Sequence, residues 1–588
     1  MAKKDYTGWD RNDLIKEIDT LRRRKKYGLV WEDKPEDVVE QCKTELPVLE
    51  EVKDKEIIID RNKAVSLLIE GDNYHALSVL NYTHKGKIDA IYADPPYNTG
   101  AKNWVYNNNY VDGNDAFRHG KWLSFMEKRL KLARSLLKGE GIIVVTIDDY
   151  EVATLTLLMN DIFWEENHLG TVIIKNNPQG RSSVSGFQIS HEYALFYCRS
   201  QKAKIGRLPR TQEQIARYKE SDTIGPFEWR NFRAQYSTES PKMKYPIFVK
   251  KDCSDFRLPK MKWNLERQSY DLLEKPDKSE QISLPVDSNG RERTWKWSIE
   301  TVVLAKNTEM GVRFDMNKVP SVFYKGRMAD EWMLPYTIWD KSDYSASSMG
   351  TNLLTSIIGS KKFDYPKSLY AVIDCLRVLS SNKDATFLDF FAGSGTTGHA
   401  VLELNKKDGG NRKFILCTNN ELNGQENILR EQGLSEKDIQ SHGICQAVTY
   451  PRIKKVIDGY ANIEGIPTNL KYYKTIYVPA DPTDKNKIAL TEKATEMLCV
   501  KEDTFEELIS TKQYRIFSNK KRYMGVVYDH QAIDDFKKEI GKMDGKISVY
   551  IFSLGDDTFD EEFEDMSLKV KLSPIPEAIL RVYRRIFK

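Results

Sequence analysis

The chain has 588 residues, 40% hydrophobic and 30% charged, so it holds up to about four domains with cores of their own and is neither a small disulfide scaffold nor globally disordered. Ninety Lys and Arg against 86 Asp and Glu leave a formal net charge of +4, which excludes a uniformly basic nucleic-acid binder but not a local basic patch. Seven scattered cysteines without a CxxC pair, no apolar run near the ~20 residues of a membrane span, and no apolar signal segment set the expectation of a cytoplasmic protein with no membrane partner.

In chain order, residues 1–55 read as an N-terminal helical arm, with Leu14, Ile15, Ile18 and Leu21 at helical spacing before the basic run Arg22 to Lys26. From about residue 56, strand-like runs alternate with amphipathic helices. A strand at Ser66 to Asp72 leads to a helix near His75 to Leu80 and a strand at Ile88 to Asp94. A long helix then carries Trp122, Phe125, Met126, Leu130 and Ala133, ahead of a strand at Ile142 to Asp149. Further strands are expected at Thr171 to Ile174 and His191 to Tyr197. Such alternation predicts βαβ units and a parallel sheet covered on both faces.

Between residues 201 and 345 the rhythm stops. Residues 201–340 hold six of the eleven tryptophans and 26 Lys and Arg against 20 Asp and Glu, a basic, aromatic insert. A segment that reads a nucleic acid needs such side chains for phosphates and base edges, and this one supplies Arg230, Arg233, Lys242, Lys244, Arg291, Arg293, Lys296 and Arg327, which a solvated charged surface would also carry. The βα rhythm returns over 346–474, with a helix at Ser368 to Leu379, a strand at Ala385 to Phe390, a helix at Thr397 to Leu404 and a strand at Lys413 to Cys417. Residues 475–588 read as a small C-terminal α/β domain.

Two motifs carry chemistry. Asp94-Pro95-Pro96-Tyr97 ends a buried strand. Its prolines remove two backbone donors, so the turn presents carbonyl acceptors beside the Asp94 carboxylate, with Tyr97 available to stack. Two acceptors and an aromatic face suit a planar amine such as the exocyclic NH2 of a nucleobase. Phe387 to Gly398 runs a second buried strand into a glycine-rich turn that opens a helix, the way α/β sheets build nucleotide sites. His399 stands where a phosphate-binding lysine is required, which argues against ATP hydrolysis. Asp389 at the strand end favours a ligand with a cationic amino-acid head.

The pair of motifs resembles the amino-group DNA methyltransferases, with the catalytic motif first and the cofactor motif about 300 residues later, as in their permuted beta class. The stretches Ile69-Glu70-Gly71-Asp72-Asn73, Lys121 to Met126, Thr146-Ile147-Asp148-Asp149 and Phe363-Asp364-Tyr365-Pro366-Lys367 resemble the modification (Mod) subunits of type III restriction systems. The resemblance implies a Rossmann-like, circularly permuted S-adenosylmethionine-dependent methyltransferase core. Residues 56–200 would form its catalytic half, 346–474 its cofactor half, and 201–345 an inserted target-recognition domain.

By position, the family implies that Asp94, Pro95, Pro96 and Tyr97 hold a flipped base. Asp389, Phe391, Gly393 and Gly395 would hold S-adenosylmethionine, with the Lys367 region against its methionine end, Asp72 against its adenine and Glu421 on its ribose. Glu421 stands later than the simplest pattern. No metal is implied. The expected reaction is site-specific methylation of adenine N6, because Asp at position 94 resembles the adenine enzymes more than the cytosine ones. N4-cytosine methylation and a noncatalytic DNA-binding specificity subunit are the alternatives. The partners implied are double-stranded DNA, a second copy of the chain and a restriction subunit carrying helicase and nuclease.

Overall fold

The computed structural model describes residues 31–60, 63–107, 109–180, 186–234, 240–287, 289–328, 330–422, 426–555, 557 and 559–587. The helix expected around Leu14 to Leu21 lies outside them. The chain divides into two compact units. One is built from the chain up to Arg207 together with Leu334 onward, and the other is Leu208–Met333.

The first unit is organised by a sheet that has ten strands among the described residues: β1 (Glu45–Glu51), β2 (Val65–Glu70), β3 (Ile88–Ala93), β4 (Leu137–Ile147), β5 (His168–Ile174), β6 (Glu192–Cys198), β7 (Ile338–Trp339), β8 (Thr386–Asp389), β9 (Lys413–Thr418) and β10 (Asn469–Pro479). Their order across the sheet is β1-β10-β2-β9-β8-β3-β4-β6-β5-β7. The central run from β10 to β4 is parallel. Its strands are continuous apolar runs because helices cover both faces: α1 (Asn73–Thr83), α2 (Arg118–Leu136), α3 (Val152–Phe163), α4 (Leu369–Leu379), α5 (Thr396–Asp408) and α6 (Tyr450–Asp458) are the principal ones. Leu388, Ile415, Ile91 and Val145 are buried at its centre, each such side chain contributing about 1.5–3 kcal/mol.

Three expectations are corrected. The sheet is mixed, since β6 runs antiparallel to both β4 and β5, and β1 is antiparallel to β10. The arm of residues 1–55 contributes β1 to this sheet, so the arm and the core share one sheet. The boundary drawn at 474/475 falls inside β10, whose apolar residues continue to Val478.

The C-terminal segment adds a five-stranded sheet of its own: β11 (Glu506–Ser510), β12 (Tyr514–Ser518), β13 (Tyr523–Val527), β14 (Ile547–Phe552) and β15 (Val570–Ile575). Its last helix (Glu577–Ile586) buries Ile579, Leu580 and Tyr583 in the same core as Leu46, Val48 and Val79.

The second unit matches the insert more tightly than its sequence boundaries do, Leu208–Met333 instead of 201–345. It opens and closes on a two-strand pairing of Leu208–Pro209 with Trp332–Met333. Inside are a four-stranded antiparallel sheet (Glu220–Asp222, Gly225–Asn231, Pro320–Arg327, Met310–Phe314) and a three-stranded one centred on Ile247–Lys250. The core between them is built on Phe232, Tyr245, Trp295 and Val322, with Trp297 packed against it. Those two tryptophans are therefore core residues and not a stacking surface.

Candidate active site

Four neighbouring parallel strands, β2, β9, β8 and β3, each end near an acidic residue singled out in the sequence: Asp72, Glu421, Asp389 and Asp94. From β8 the chain crosses through α5 to β9 on one side, and from β3 through α2 to β4 on the other. The crevice at this change of direction is where open α/β sheets bind ligands.

Asp94 follows the last residue of β3. Thr146 Oγ1, on the adjoining β4, donates to its Oδ1 at 2.6 Å, and Lys367 Nζ stands 3.1 Å from the same oxygen. Tyr97 is half-buried and donates from its hydroxyl to Glu192 Oε2 at 2.9 Å. Lys367 also pairs with Glu192 and reaches the Tyr97 hydroxyl. Burial alone would lower the pKa of the Lys367 ammonium, but Asp94 and Glu192 outweigh it and hold the group above its ordinary value. Burial, reinforced by the same two carboxylates, keeps the Tyr97 phenol well above its own, so it stays protonated.

The Pro96 carbonyl accepts from Trp122 Nε1 at 2.7 Å, which locks the turn onto α2. Of the two proline carbonyls expected to be open acceptors, the indole of α2 takes that of Pro96. Next in the chain, Asn98 is fully buried with φ 56° and donates to Glu151 Oε1 at 2.6 Å, holding the far side of the turn.

The glycine-rich turn leaves β8 at Asp389. Phe391 N donates to Asp389 Oδ1 at 3.0 Å and Thr397 Oγ1 to Oδ2 at 2.5 Å. Burial wins over those bonds and pushes the carboxyl's pKa up to about 7. Gly393 and Gly395 have φ of 46° and 76°, a region costly to residues with a Cβ. Gly395 is the N-cap of α5. A Cβ on Gly393 would lie 3.1 Å from Phe363 Cζ. Thr449 Oγ1 donates to Gly393 O at 2.6 Å. From α6, the buried Arg452 donates to Thr396 Oγ1 at 2.7 Å and to Ser394 Oγ at 3.1 Å, fastening the turn from below. Phe391 stacks at a tilt on Phe390 and Phe125. A buried carboxylate at the mouth of this close-approach turn fits a ligand with a cationic amino-acid head.

Asp72 caps α1 by accepting from Tyr74 N at 2.7 Å, and Arg129 stands 3.4 Å away. Glu421, after β9, is raised in pKa by burial. The Lys367 ammonium sits among Asp94, Tyr97 and Glu192. Sequence reasoning missed Glu192, Thr146, Trp122 and Arg452 as site residues. Glu192 carried one signal, a carboxylate opening an otherwise apolar strand, Glu-Tyr-Ala-Leu-Phe-Tyr-Cys.

In the insert, most candidate DNA contacts are engaged internally. Arg230 pairs with Glu228, Lys244 with Glu292, Arg293 with Asp287, and Arg327 with both Asp222 and Glu309. Among the described residues, no group of three or more His, Cys, Asp or Glu is arranged to hold a metal, and no helix is long and apolar enough to cross a membrane.

This α/β sheet, with an acidic crevice beside a glycine-rich turn, has the layout of a methyltransferase of the α/β class. The pattern of the N6/N4 DNA methylase family matches residues 88–423, more than half of the chain, and the chain belongs to that family. It is 32% identical over 401 residues to the type II methyltransferase M.KpnI of Klebsiella pneumoniae, covering 67% of this chain and 88% of that one. It is 29% identical over 399 residues to the EcoPI Mod subunit of Escherichia phage P1, with 62% and 59% covered. It is also 29% identical over 408 residues to the StyLTI Mod subunit of Salmonella typhimurium, with 65% and 56% covered. The chain thus spans little more than half the length of those two type III Mod subunits. It is a DNA methyltransferase, and the methyl donor of its family is S-adenosylmethionine.

Proposed function

We propose that the protein methylates the N6 amine of an adenine flipped out of duplex DNA, as the modification component of a restriction-modification system of type III kind. The observation that carries this reading is the Asp94 carboxylate, fixed by Thr146 and Lys367 at the end of β3, one strand from the glycine turn after β8.

In this reading Asp94 and the Pro95 carbonyl accept the two N–H bonds of the target amine. That turns the nitrogen lone pair out of conjugation with the ring. Pro96 keeps the turn rigid through Trp122, and Tyr97 stacks on the base, offsetting part of the few kcal/mol spent in flipping it. S-adenosylmethionine, when bound, supplies an electrophilic methyl group. Asp389 holds the donor's ammonium, Phe391, Gly393 and Gly395 line its path, Glu421 takes the ribose hydroxyls and Asp72 the adenine edge. Asp94 stabilises the positive charge that grows on the amine and receives the proton that the nitrogen sheds. The insert reads the target sequence. The names of the Mod relatives support a restriction subunit as partner, and a second copy of this chain belongs to the same reading.

Digesting DNA methylated by the protein to nucleosides identifies the product. N6-methyladenine is expected; N4-methylcytosine as the main product replaces the reading with its nearest alternative, and no methylation at all leaves only a DNA-binding role. Light scattering and co-purification with a restriction subunit test the partners.

A further inference from the structure

The amine pocket holds two groups more than adenine binding requires. Asp94 and Tyr97 address the base, yet Lys367 and Glu192, both nearly buried, are built in behind them. The Lys367 side chain is 14% exposed and that of Glu192 4%. Burying an ion pair costs desolvation, so its presence calls for a function or a compensating network.

Charge counting supplies one. The pocket contains two carboxylates, Asp94 and Glu192, and one ammonium, Lys367, all in mutual contact through Lys367. Their formal sum is one negative charge. Methyl transfer to an amine places one positive charge on the nitrogen, so the preorganised excess matches the charge that develops. The geometry agrees. Thr146 Oγ1 and Lys367 Nζ both address Asp94 Oδ1, leaving Oδ2 to the amine. Glu192 Oε2 accepts from the Tyr97 hydroxyl while pairing with Lys367, so one carboxylate orients both the stacking ring and the cation.

Resting on the adenine-methylation reading, we infer that Glu192 is a positioning residue. It holds Lys367 as a fixed rivet on Asp94 Oδ1 and neutralises it, so that Asp94 keeps a full negative charge for the transferring nitrogen. Without Glu192, Lys367 would cancel Asp94. The pair also joins two stretches far apart in the chain, β6 and the entry to α4, across the pocket.

The test compares wild type, Glu192→Gln, Lys367→Met and the double variant E192Q/K367M for methyl transfer to duplex DNA, with donor and duplex affinities measured separately. E192Q keeps the acceptor for Tyr97 but cancels the pocket charge, and kcat is expected to fall about 10²-fold with KM for DNA little changed. K367M leaves two unscreened carboxylates and is also slow. The double variant restores a single negative charge and is expected to be faster than either single variant. A purely structural role predicts that the losses accumulate, and a double variant slower than E192Q overturns the inference. If a single variant does not fold, the double variant alone decides: within about tenfold of wild type supports the charge account, and a loss of 10²-fold or more overturns it. Wild type and Asp94→Ala are run beside them. An inactive wild type or an active D94A defeats the underlying reading, whereas normal activity of E192Q with an active wild type defeats this inference alone.

Discussion

Lys367 Nζ stands 3.1 Å from Asp94 Oδ1, joining the segment that enters α4 to the residue after β3. The contact ties the glycine-turn half of the enzyme to its amine-binding half, two stretches separated in the chain by the insert. The glycine turn and the Asp94 turn both follow the C-terminal ends of adjacent central strands, β8 and β3, so the permuted order of the motifs costs nothing in space.

If Asp94 is the acceptor of the target amine, its replacement by alanine removes the charge opposite the developing ammonium and leaves the DNA-reading insert intact. Methyl transfer by Asp94→Ala is expected to fall at least ~10³-fold, the scale for losing one preorganised electrostatic partner. Duplex affinity stays within a few fold. Transfer of labelled methyl groups and gel-shift titration measure the two quantities.

If Asp389 holds the donor's ammonium, donor binding is pH-dependent. Burial raises its pKa from 3.8 to about 7, so the carboxyl favours stability when protonated: that contribution is full below about pH 4 and is lost as pH rises through 7. Donor binding runs the other way, since a cationic head pairs with the ionised form. Affinity for S-adenosylmethionine is expected to rise about tenfold between pH 6 and pH 8 by calorimetry. Asp389→Asn binds weakly with no such rise; an unchanged pH profile in that variant would remove Asp389 from the donor site.

At Gly395, alanine would have to adopt φ near 76° while its Cβ sits 3.3 Å from Thr449 Cγ2. Gly395→Ala is expected to lose about 1–2 kcal/mol of stability, read as a lower Tm. The same strain shifts the turn and weakens donor binding, whereas duplex binding is retained. A variant with wild-type Tm and donor affinity would show that the turn tolerates a side chain.

The insert separates its cations into two sets. Arg327 is held by Asp222 and Glu309, and Asp222 is kept well below the usual carboxylate range by its bonds to Arg327 and then Lys325. Arg291 is exposed, and its backbone exchanges two hydrogen bonds with Asp287, its N–H donating to Oδ1 and its carbonyl accepting from Asp287 N. Arg291→Ala is expected to weaken duplex binding evenly across sequences and to reduce the salt slope by about one, with Tm unchanged. Arg327→Ala is expected to lower Tm and leave the salt slope unaltered. Reversed behaviour would exchange their roles.

Much of this enzyme was legible before folding was considered. Asp94 to Tyr97 and Asp389 to Gly395 are contiguous motifs, each following an apolar run that can only be a buried strand, and their chemistry is local to a few peptide units. The mixed character of the sheet was not legible, because β6 looks the same from its sequence whichever way it runs. The adhesion of the N-terminal β1 to β10 was equally hidden, since the pairing partners lie at opposite ends of the chain. Basic residues of the insert looked alike in composition, yet ion pairing with particular carboxylates ties down four of the eight singled out, Arg230, Lys244, Arg293 and Arg327.

Two short motifs determined the class of chemistry and where along the chain it resides, because amine recognition and close approach of a ligand to the backbone depend on residue types at fixed spacing. Which charges face one another was decided by tertiary structure alone. Glu192, Lys367 and Asp94 become one pocket only when β6, the entry to α4 and the end of β3 meet, and electrostatics acts through distance in space, not along the sequence.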